Sequence, residues 1–268
     1  MYAAIASDLD GTLLDAGETI TPFTTAVLRA AAERGVHLII ATGRHVLDVR
    51  RLIAGLELPV SLITSNGARV HGSDGALLYA DDVPAAHVRE LVQPELARGT
   101  RLSLYLDDGG LCCLHSGYVH RDAETGFSEL CDDLSQHPGH GVAKLMYTAP
   151  PARLAEIEAV VRQRFGAELA LTYSRPDYLE VMAPGVNKGS ALTRLLARLS
   201  VEPERCAAFG DGLNDVEMLQ SVGHPFRMAN ASPRLTALLP EVAQAGHHDE
   251  AGVAHQIHRA LGLDVPEE

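Results

Sequence analysis

The stretch YAAIASDLDGTLLD, residues 2–15, joins a short apolar run to two aspartates two residues apart, with a glycine and a threonine directly after them. YAAIAS reads as a strand buried on both faces, and Asp8-Leu9-Asp10-Gly11-Thr12 as the loop at its carboxyl end. Taken alone, the two carboxylates could be solvated turn residues, so their meaning depends on what else reaches the same end of the same sheet. The pattern downstream provides that sheet. TPFTTAVLRAAAERG (21–35) has helical spacing, with Thr21 as N-cap, Pro22 at the first helical position and Gly35 as the stop. VHLIIAT (36–42) is a second buried strand, HVLDVRRLIAGL (45–56) a second helix and VSLITSNG (60–67) a third strand. Short continuous apolar strands alternating with helices predict a parallel sheet covered on both faces. ARVHGSDGALLYA (68–80) differs, reading as a hairpin about Ser73-Asp74-Gly75.

From about residue 82 to 184 the texture changes. RLSLYLDDGGLCCLHSG (101–117) predicts a second hairpin, turning at Asp107-Asp108-Gly109-Gly110. VAKLMYT (142–148), LALTYSR (169–175) and YLEVMA (178–183) are strand candidates, and PARLAEIEAVVRQRFG (151–166) is an amphipathic helix stopped by Gly166. After Gly185 the alternation returns, through helix 188–200, strand 206–212, helix 214–222, strand 224–229, helix 232–239 and a closing helix near 250–262. The expected fold class is α/β: a doubly wound parallel-sheet (Rossmannoid) core of residues 1–81 and 185–268, interrupted by an α+β cap of residues 82–184.

Composition narrows the function classes. A formal charge of −13 argues against binding a phosphate backbone, and 4% aromatics without tryptophan argues against base-stacking platforms, so no nucleic acid is expected as a partner. No apolar run reaches the ~20 residues of a spanning helix, and the amino terminus lacks the pattern of a signal peptide, so no membrane is expected. Cys112, Cys113, Cys131 and Cys206 form no CxxC pair, which reads as idle thiols in a reducing cytoplasm. The thirteen histidines, His247-His248 in a polar loop included, read as surface and core residues.

In open α/β sheets ligands bind beyond the carboxyl ends of the strands. Four segments here meet that condition with one chemistry. Asp8 and Asp10 follow the first strand, Thr42-Gly43-Arg44 the second and Gly210-Asp211-Gly212-Leu213-Asn214-Asp215 a later one, while Lys188 opens a helix. Any one of them could be structural; four in order point to phosphoryl transfer. An aspartate is ionised at neutral pH and can attack phosphorus without a base. Several carboxylates close together need a cation, and oxygen-only ligands suit Mg²⁺. Thr42 and the Gly43 amide can bond phosphate oxygens, and Lys188 adds charge where a helix amino terminus already favours an anion.

On these residues the chain resembles the haloacid dehalogenase superfamily, and within it the Cof-type phosphatases with a large α/β cap between the second and third motifs. DLDGTLLD is similar to motif I, TGR (42–44) to motif II, Lys188 in GVNKGSAL to motif III and GDGLNDVEML to motif IV. SNGA (65–68), YLEVMAPGVNKG (178–189), MANA (228–231) and EAGVA (250–254) also resemble the subfamily. The resemblance implies Asp8 as nucleophile and metal ligand, and Asp10 as general acid and base whose backbone carbonyl also binds the metal. It implies Asp211 as the third ligand with Asp215 in support, Asn214 on the phosphate, and Thr42, Gly43 and Lys188 holding the transferring group. Arg44 and Asn66 would face either substrate or cap. The second aspartate favours phosphate esters over haloacids, since an alkoxide needs a proton to leave and a halide does not.

The expected activity is a Mg²⁺-dependent phosphatase acting on a small phosphorylated metabolite, a sugar phosphate or a phosphorylated cofactor. A phosphomutase or a non-catalytic phosphosugar sensor would use the same site, and a homodimer through the cap stays open. A mutase would need a basic cluster in the cap, which the sequence lacks. Candidate selectivity residues of the cap are Asp107–Gly110, His115, Tyr118, His120 and Ser174–Tyr178.

Overall fold

The computed structural model describes residues 2–115 and 127–266. In chain order its strands are β1 (Ala4–Ser7), β2 (His37–Ala41), β3 (Val60–Thr64), β4 (Arg69–His71), β5 (Leu77–Ala80), β6 (Arg101–Tyr105), β7 (Gly110–Leu114), β8 (Ser128–Cys131), β9 (Lys144–Thr148), β10 (Ala170–Arg175), β11 (Tyr178–Met182), β12 (Cys206–Gly210), β13 (His224–Arg227) and β14 (Ala243–Gln244). The helices are α1 (Pro22–Glu33), α2 (Val46–Leu52), α3 (Ala85–Leu91), α4 (Pro94–Ala97), α5 (Pro151–Phe165), α6 (Lys188–Arg198), α7 (Val216–Gln220), α8 (Pro233–Leu238) and α9 (Gly252–Leu261).

Among the described residues, eight strands form one sheet in the order β14-β13-β12-β1-β2-β3-β4-β5. The pairs from β14 to β3 are parallel, and the hairpin β4–β5 extends the sheet antiparallel to β3. Alternate side chains of each central strand enter opposite cores, as the two-residue period of a strand requires. Ile5, Leu38, Ile40, Leu62, Ala207 and Phe209 pack with Val27, Leu28 and Ala31 of α1 and Val253, Ala254 and Ile257 of α9. Ala4, Ala6, Ile39, Ile63 and Ala208 pack on the other face with Leu192, Leu195 and Leu196 of α6 and Met218 and Leu219 of α7. This is the α/β, doubly wound parallel-sheet (Rossmannoid) arrangement. Successive connections from β1 run one way across it and those from β12 the other, so the crevice between β1 and β12 is the topological switch point.

The second sheet, β10-β11-β9-β6-β7-β8, is antiparallel except where β7 and β8 run parallel. One face is apolar: Leu102, Leu104, Leu145, Tyr147, Leu179 and Val181 bury against α3 and α5. The opposite face carries Tyr105, Lys144, Met146, Glu180 and Met182, and its apolar members pack with Ala68 and Val186 of the surrounding chain. That tightly buried face lies toward the loops that follow β2 and β3 of the first sheet, which it meets through Lys144 to Gly43 and Glu180 to Asn66.

Thr21 caps α1 by accepting from the Thr24 amide, Pro22 sits at its first position, and Gly166 ends α5 at positive φ. The second helix is shorter than its pattern suggests, ending at Leu52 before a separate turn at Ala54–Leu56. The elements α3, α4, β8 and β14, absent from the sequence reading, are short, from two to seven residues. Elements of that size give too few periods for a pattern to register. Among the described residues no helix is long and apolar enough to cross a membrane.

Candidate active site

Asp8 is the first residue beyond β1. Its amide donates to the Phe209 carbonyl of β12 at 3.0 Å, which continues the parallel ladder into the loop. The chain then makes a helical turn over Leu9–Leu13, broken at Asp10 and at Gly11, where φ is +67°. A Cβ on Gly11 would lie 2.5 Å from Asp211 Oδ2, so glycine is required both by the conformation and by the carboxylate beside it. The Asn230 side chain donates to the Gly11 carbonyl at 2.7 Å and fixes the loop from the β13 side.

Lys188 is the first residue of α6. Asn187 and Ser190 close a reciprocal capping box around it, and Gly189 permits α6 to lie directly on the Glu217 backbone, where a Cβ would come within 2.4 Å. The ammonium is therefore delivered into the crevice completely buried, 2.8 Å from Asp8 Oδ1 and 2.7 Å from Asp215 Oδ1. Asp215 Oδ2 accepts the Asp211 amide at 3.0 Å and the Gly212 amide at 2.9 Å. Its oxygens are thus fully engaged by protein donors. Asp211 Oδ1 has only the Thr12 hydroxyl, at 3.4 Å.

Carboxylate oxygens of Asp8, Asp211 and Asp215 lie within 4.8 Å of one another. One ammonium is set against three carboxylates in a largely dry place. Burial, then the neighbouring Asp215, pushes the Asp8 carboxyl well above its ordinary range despite Lys188. The same two causes push Asp211 up to about 7. Burial alone would lower Lys188, but Asp215 and Asp8 outweigh it and raise it further. Carboxylates held so close, with one lysine among them, form a hard-oxygen donor set whose chemistry fits Mg²⁺. Asp8 and Asp211 are the two with oxygens to spare.

Thr42 and Gly43 follow β2. The Thr42 hydroxyl accepts the Arg44 amide at 3.1 Å, folding the loop back on itself. Arg44 reaches Asp10 through Nε at 2.9 Å and through Nη2, and reaches Asp48 at 3.1 Å. Asp10 is half exposed at the mouth and stands apart from the three clustered carboxylates, its side chain held by Arg44. Asn66 follows β3 in a turn where Ser65, Asn66 and Gly67 all have positive φ. Its carbonyl oxygen accepts from Asn214 Nδ2 at 3.0 Å, and its amide donates to Glu180 of β11. All ten sequence-identified residues therefore lie around this crevice, nine on loops that follow strands and Lys188 at the start of α6, with Arg44 and Asp10 at its rim and Asn66 joining it to the second sheet.

Two residues to which the sequence reading gave no role are prominent. Lys144 and Glu180, diagonal neighbours on β9 and β11, form a buried ion pair at 2.6 Å. Lys144 also donates to the Gly43 carbonyl at 2.7 Å and lies 4.0 Å from the centre of the Tyr105 ring. A charge in the middle of YLEVM and another opening KLMYT were visible signals, since charged residues are seldom fully buried unless paired. Of the cap candidates, Asp107 pairs with Arg69, Ser174 donates to Glu180, and Arg175 pairs with Asp177 at 3.4 Å while lying over Tyr178. His115 is held by its backbone to Thr100. Tyr118 and His120 lie outside the described residues.

A strand-end crevice of this build, with acidic, lysine and amide groups on four loops, defines a phosphoryl-transfer fold. The chain matches the haloacid dehalogenase-like hydrolases over residues 5–257 and belongs to that family. It is 36% identical over 263 residues to an HMP-PP phosphatase of Serratia proteamaculans, covering 97% of this chain and 96% of the relative. With an HMP-PP phosphatase of Escherichia fergusonii it shares 38% over 264 residues, 96% of this chain and 95% of the relative. A haloacid dehalogenase-like hydrolase from Bacteroides thetaiotaomicron has the same fold at 23% identity, with a TM-score of 0.82 over 97% of this chain and all of that one. Within its family the chain falls among the phosphatases.

Proposed function

We propose that the protein is a Mg²⁺-dependent phosphatase that hydrolyses a small phosphorylated metabolite through an aspartyl-phosphate on Asp8. The observation that carries this is the placement of Asp8: a buried carboxylate at the switch point, 2.8 Å from a fully buried lysine and beside Asp211. An Asp8 oxygen attacks phosphorus as the ester P–O bond breaks. The leaving alkoxide takes a proton from the Asp10 carboxyl. Water then attacks phosphorus and gives its proton to Asp10, and the bond to Asp8 breaks to release phosphate. Lys188, Thr42, the Gly43 amide and Asn214 hold the phosphoryl oxygens, and Arg44 steadies Asp10 at the mouth. Mg²⁺ on Asp8, Asp211 and the Asp10 carbonyl, with Asp215 in support, would neutralise the phosphate and relieve the crowded carboxylates.

Residues 82–184 act as a cap over this site, linked to the core by the segments before α3 and after β11. Hydrolysis is favoured over a mutase reaction because Lys144, the cation buried in the cap face, is already neutralised by Glu180 and is not free for a second phosphate. HMP-PP, the substrate named for the relatives, heads the list of phosphorylated compounds to test, its leaving group a phosphate rather than an alkoxide, followed by sugar phosphates. Four unpaired thiols support a cytoplasmic setting.

The test is phosphate release from HMP-PP and a panel of small esters, with Mg²⁺ and with EDTA, for wild type and Asp8→Asn. Metal-dependent release abolished by the substitution is expected. No release from any ester by folded, Mg²⁺-supplied wild type would overturn the reading.

A further inference from the structure

The contacts between the second sheet and the catalytic loops carry a direction. Glu180 is 2% exposed and its carboxylate can only accept: from Lys144 at 2.6 Å, from the Asn66 amide and from the Ser174 hydroxyl. Because an amide offers NH₂ at one end and oxygen at the other, this acceptor fixes which way Asn66 lies. Its oxygen is left facing Asn214, and that oxygen in turn fixes the Asn214 amide, which donates to it at 3.0 Å. Asn214 is the neighbour of Asp215, which holds Lys188. On the other side the same ion pair clamps the Thr42-Gly43-Arg44 loop, through Lys144 and the Gly43 carbonyl. A Cβ on Gly43 would lie 3.2 Å from Asn66 Oδ1, so the two loops are in near contact behind the clamp.

The cost of this arrangement argues that it is used. Ser65 and Asn66 are consecutive non-glycine residues at φ of +50° and +55°, a left-handed conformation that L side chains adopt at a cost. The strained turn is what places the Asn66 side chain between Glu180 and Asn214. A buried lysine and glutamate also pay a desolvation penalty that an apolar pair of similar volume would avoid. Burial pulls Lys144 below its ordinary range, with Glu180 opposing the shift. Packing alone would be served by leucine and methionine.

We propose that Lys144 and Glu180 are positioning residues of the cap: they orient the Asn66–Asn214 amide chain and clamp the Gly43 loop, so that the phosphate pocket is complete only when the cap face is seated on it. In this arrangement the second N–H of Asn214 stays available to a phosphoryl oxygen. If the chain of amides reversed, Asn214 would turn a carbonyl oxygen toward an anion. Glu180→Gln, nearly isosteric, makes that reversal accessible, because a glutamine can donate where the carboxylate could only accept.

This inference rests on the phosphatase reading, and the experiment separates the two. Wild type, Glu180→Gln and the double variant Lys144→Met with Glu180→Leu are compared in p-nitrophenyl phosphate hydrolysis, orthovanadate affinity, thermal midpoint, and hydrogen exchange of residues 42–44 and 212–216. For Glu180→Gln we expect kcat/KM and orthovanadate affinity each to fall ~10-fold or more, with faster exchange in both segments. The double variant should keep a thermal midpoint near that of wild type yet show the same losses; a merely structural pair would show none once apolar packing is restored. Variants with wild-type kcat/KM, orthovanadate affinity and exchange would overturn the proposal, whatever the thermal midpoint. If wild type hydrolyses no ester, the phosphatase reading fails, and unchanged exchange in the two segments still decides against the clamp. Should the double variant not fold, Glu180→Gln decides alone.

Discussion

Asp8 is a residue whose usefulness conflicts with stability. Burial and Asp215 push its carboxyl well above the ordinary range, so folding without a cation disfavours the ionised form relative to the unfolded chain. An asparagine has that neutral form built in. Asp8→Asn is therefore expected to raise the thermal midpoint of the metal-free protein by several degrees while abolishing turnover; calorimetry in EDTA showing a lower midpoint would contradict the electrostatic account. Lys188→Met acts in the opposite sense. It removes the ammonium from Asp8 and Asp215 together, and losing one side of a buried ion pair costs ~3–5 kcal/mol. Urea denaturation should show that loss, and Asp8→Asn should partly repair it. Both residues were legible in the sequence because each occupies a strand end or a helix start. Lys144 and Glu180 were legible as charges inside apolar strands but not as a pair: they are 36 residues apart and meet only once two strands pair, and Gly43 lies a further 101 residues from Lys144. Nothing in local spacing brings those three together.

At the scale of elements, α6 exists at the site to deliver its lysine. Its first residue is the lysine, its second is the glycine that lets it settle on α7, and its N-cap Asn187 accepts the Ser190 amide at 2.7 Å. The Asn187 carbonyl also packs against Gly67, where a Cβ would come within 2.4 Å, so the same residue ties α6 to the strained turn after β3. Replacing it by alanine removes the cap, worth ~1 kcal/mol on average. For Asn187→Ala we expect that loss of stability, together with a fall in kcat that exceeds any change in KM, since in the proposed mechanism the lysine it aims holds the transferring group. A stability loss with kcat unchanged would separate the cap from the aim. The helix itself was readable from GVNKGSAL, as were the parallel strands, because long apolar runs and capping residues are local signals. The short α3, α4, β8 and β14 were not, since tertiary packing rather than pattern decides elements of two to seven residues.

For the whole molecule, the acidic cluster links folding, pH and metal. Asp211, ordinarily at 3.8, is held up to about 7 in the folded chain, by burial and then by Asp215, and Asp8 is raised in the same direction. Between those values the metal-free folded state binds more protons than the unfolded state. The contribution of these groups to stability is then greatest below the ordinary carboxylate range and falls as pH rises toward 7, with the loss complete above it. The contribution is on the order of a few kcal/mol, shared between coupled groups rather than owned by either. A cation at the cluster replaces the protons and removes the slope. Added Mg²⁺ should therefore raise the thermal midpoint little near pH 5 and substantially near pH 8. The measurement is a set of melting curves over that range with Mg²⁺ and with EDTA, for wild type and Asp211→Asn. In the variant both the pH slope and the Mg²⁺ response should shrink, because one substitution removes a titrating group and a ligand together. A Mg²⁺ response equal at both pH values, or one that survives Asp211→Asn unchanged, would place the cation elsewhere and detach the acidic crevice from the chemistry proposed for it.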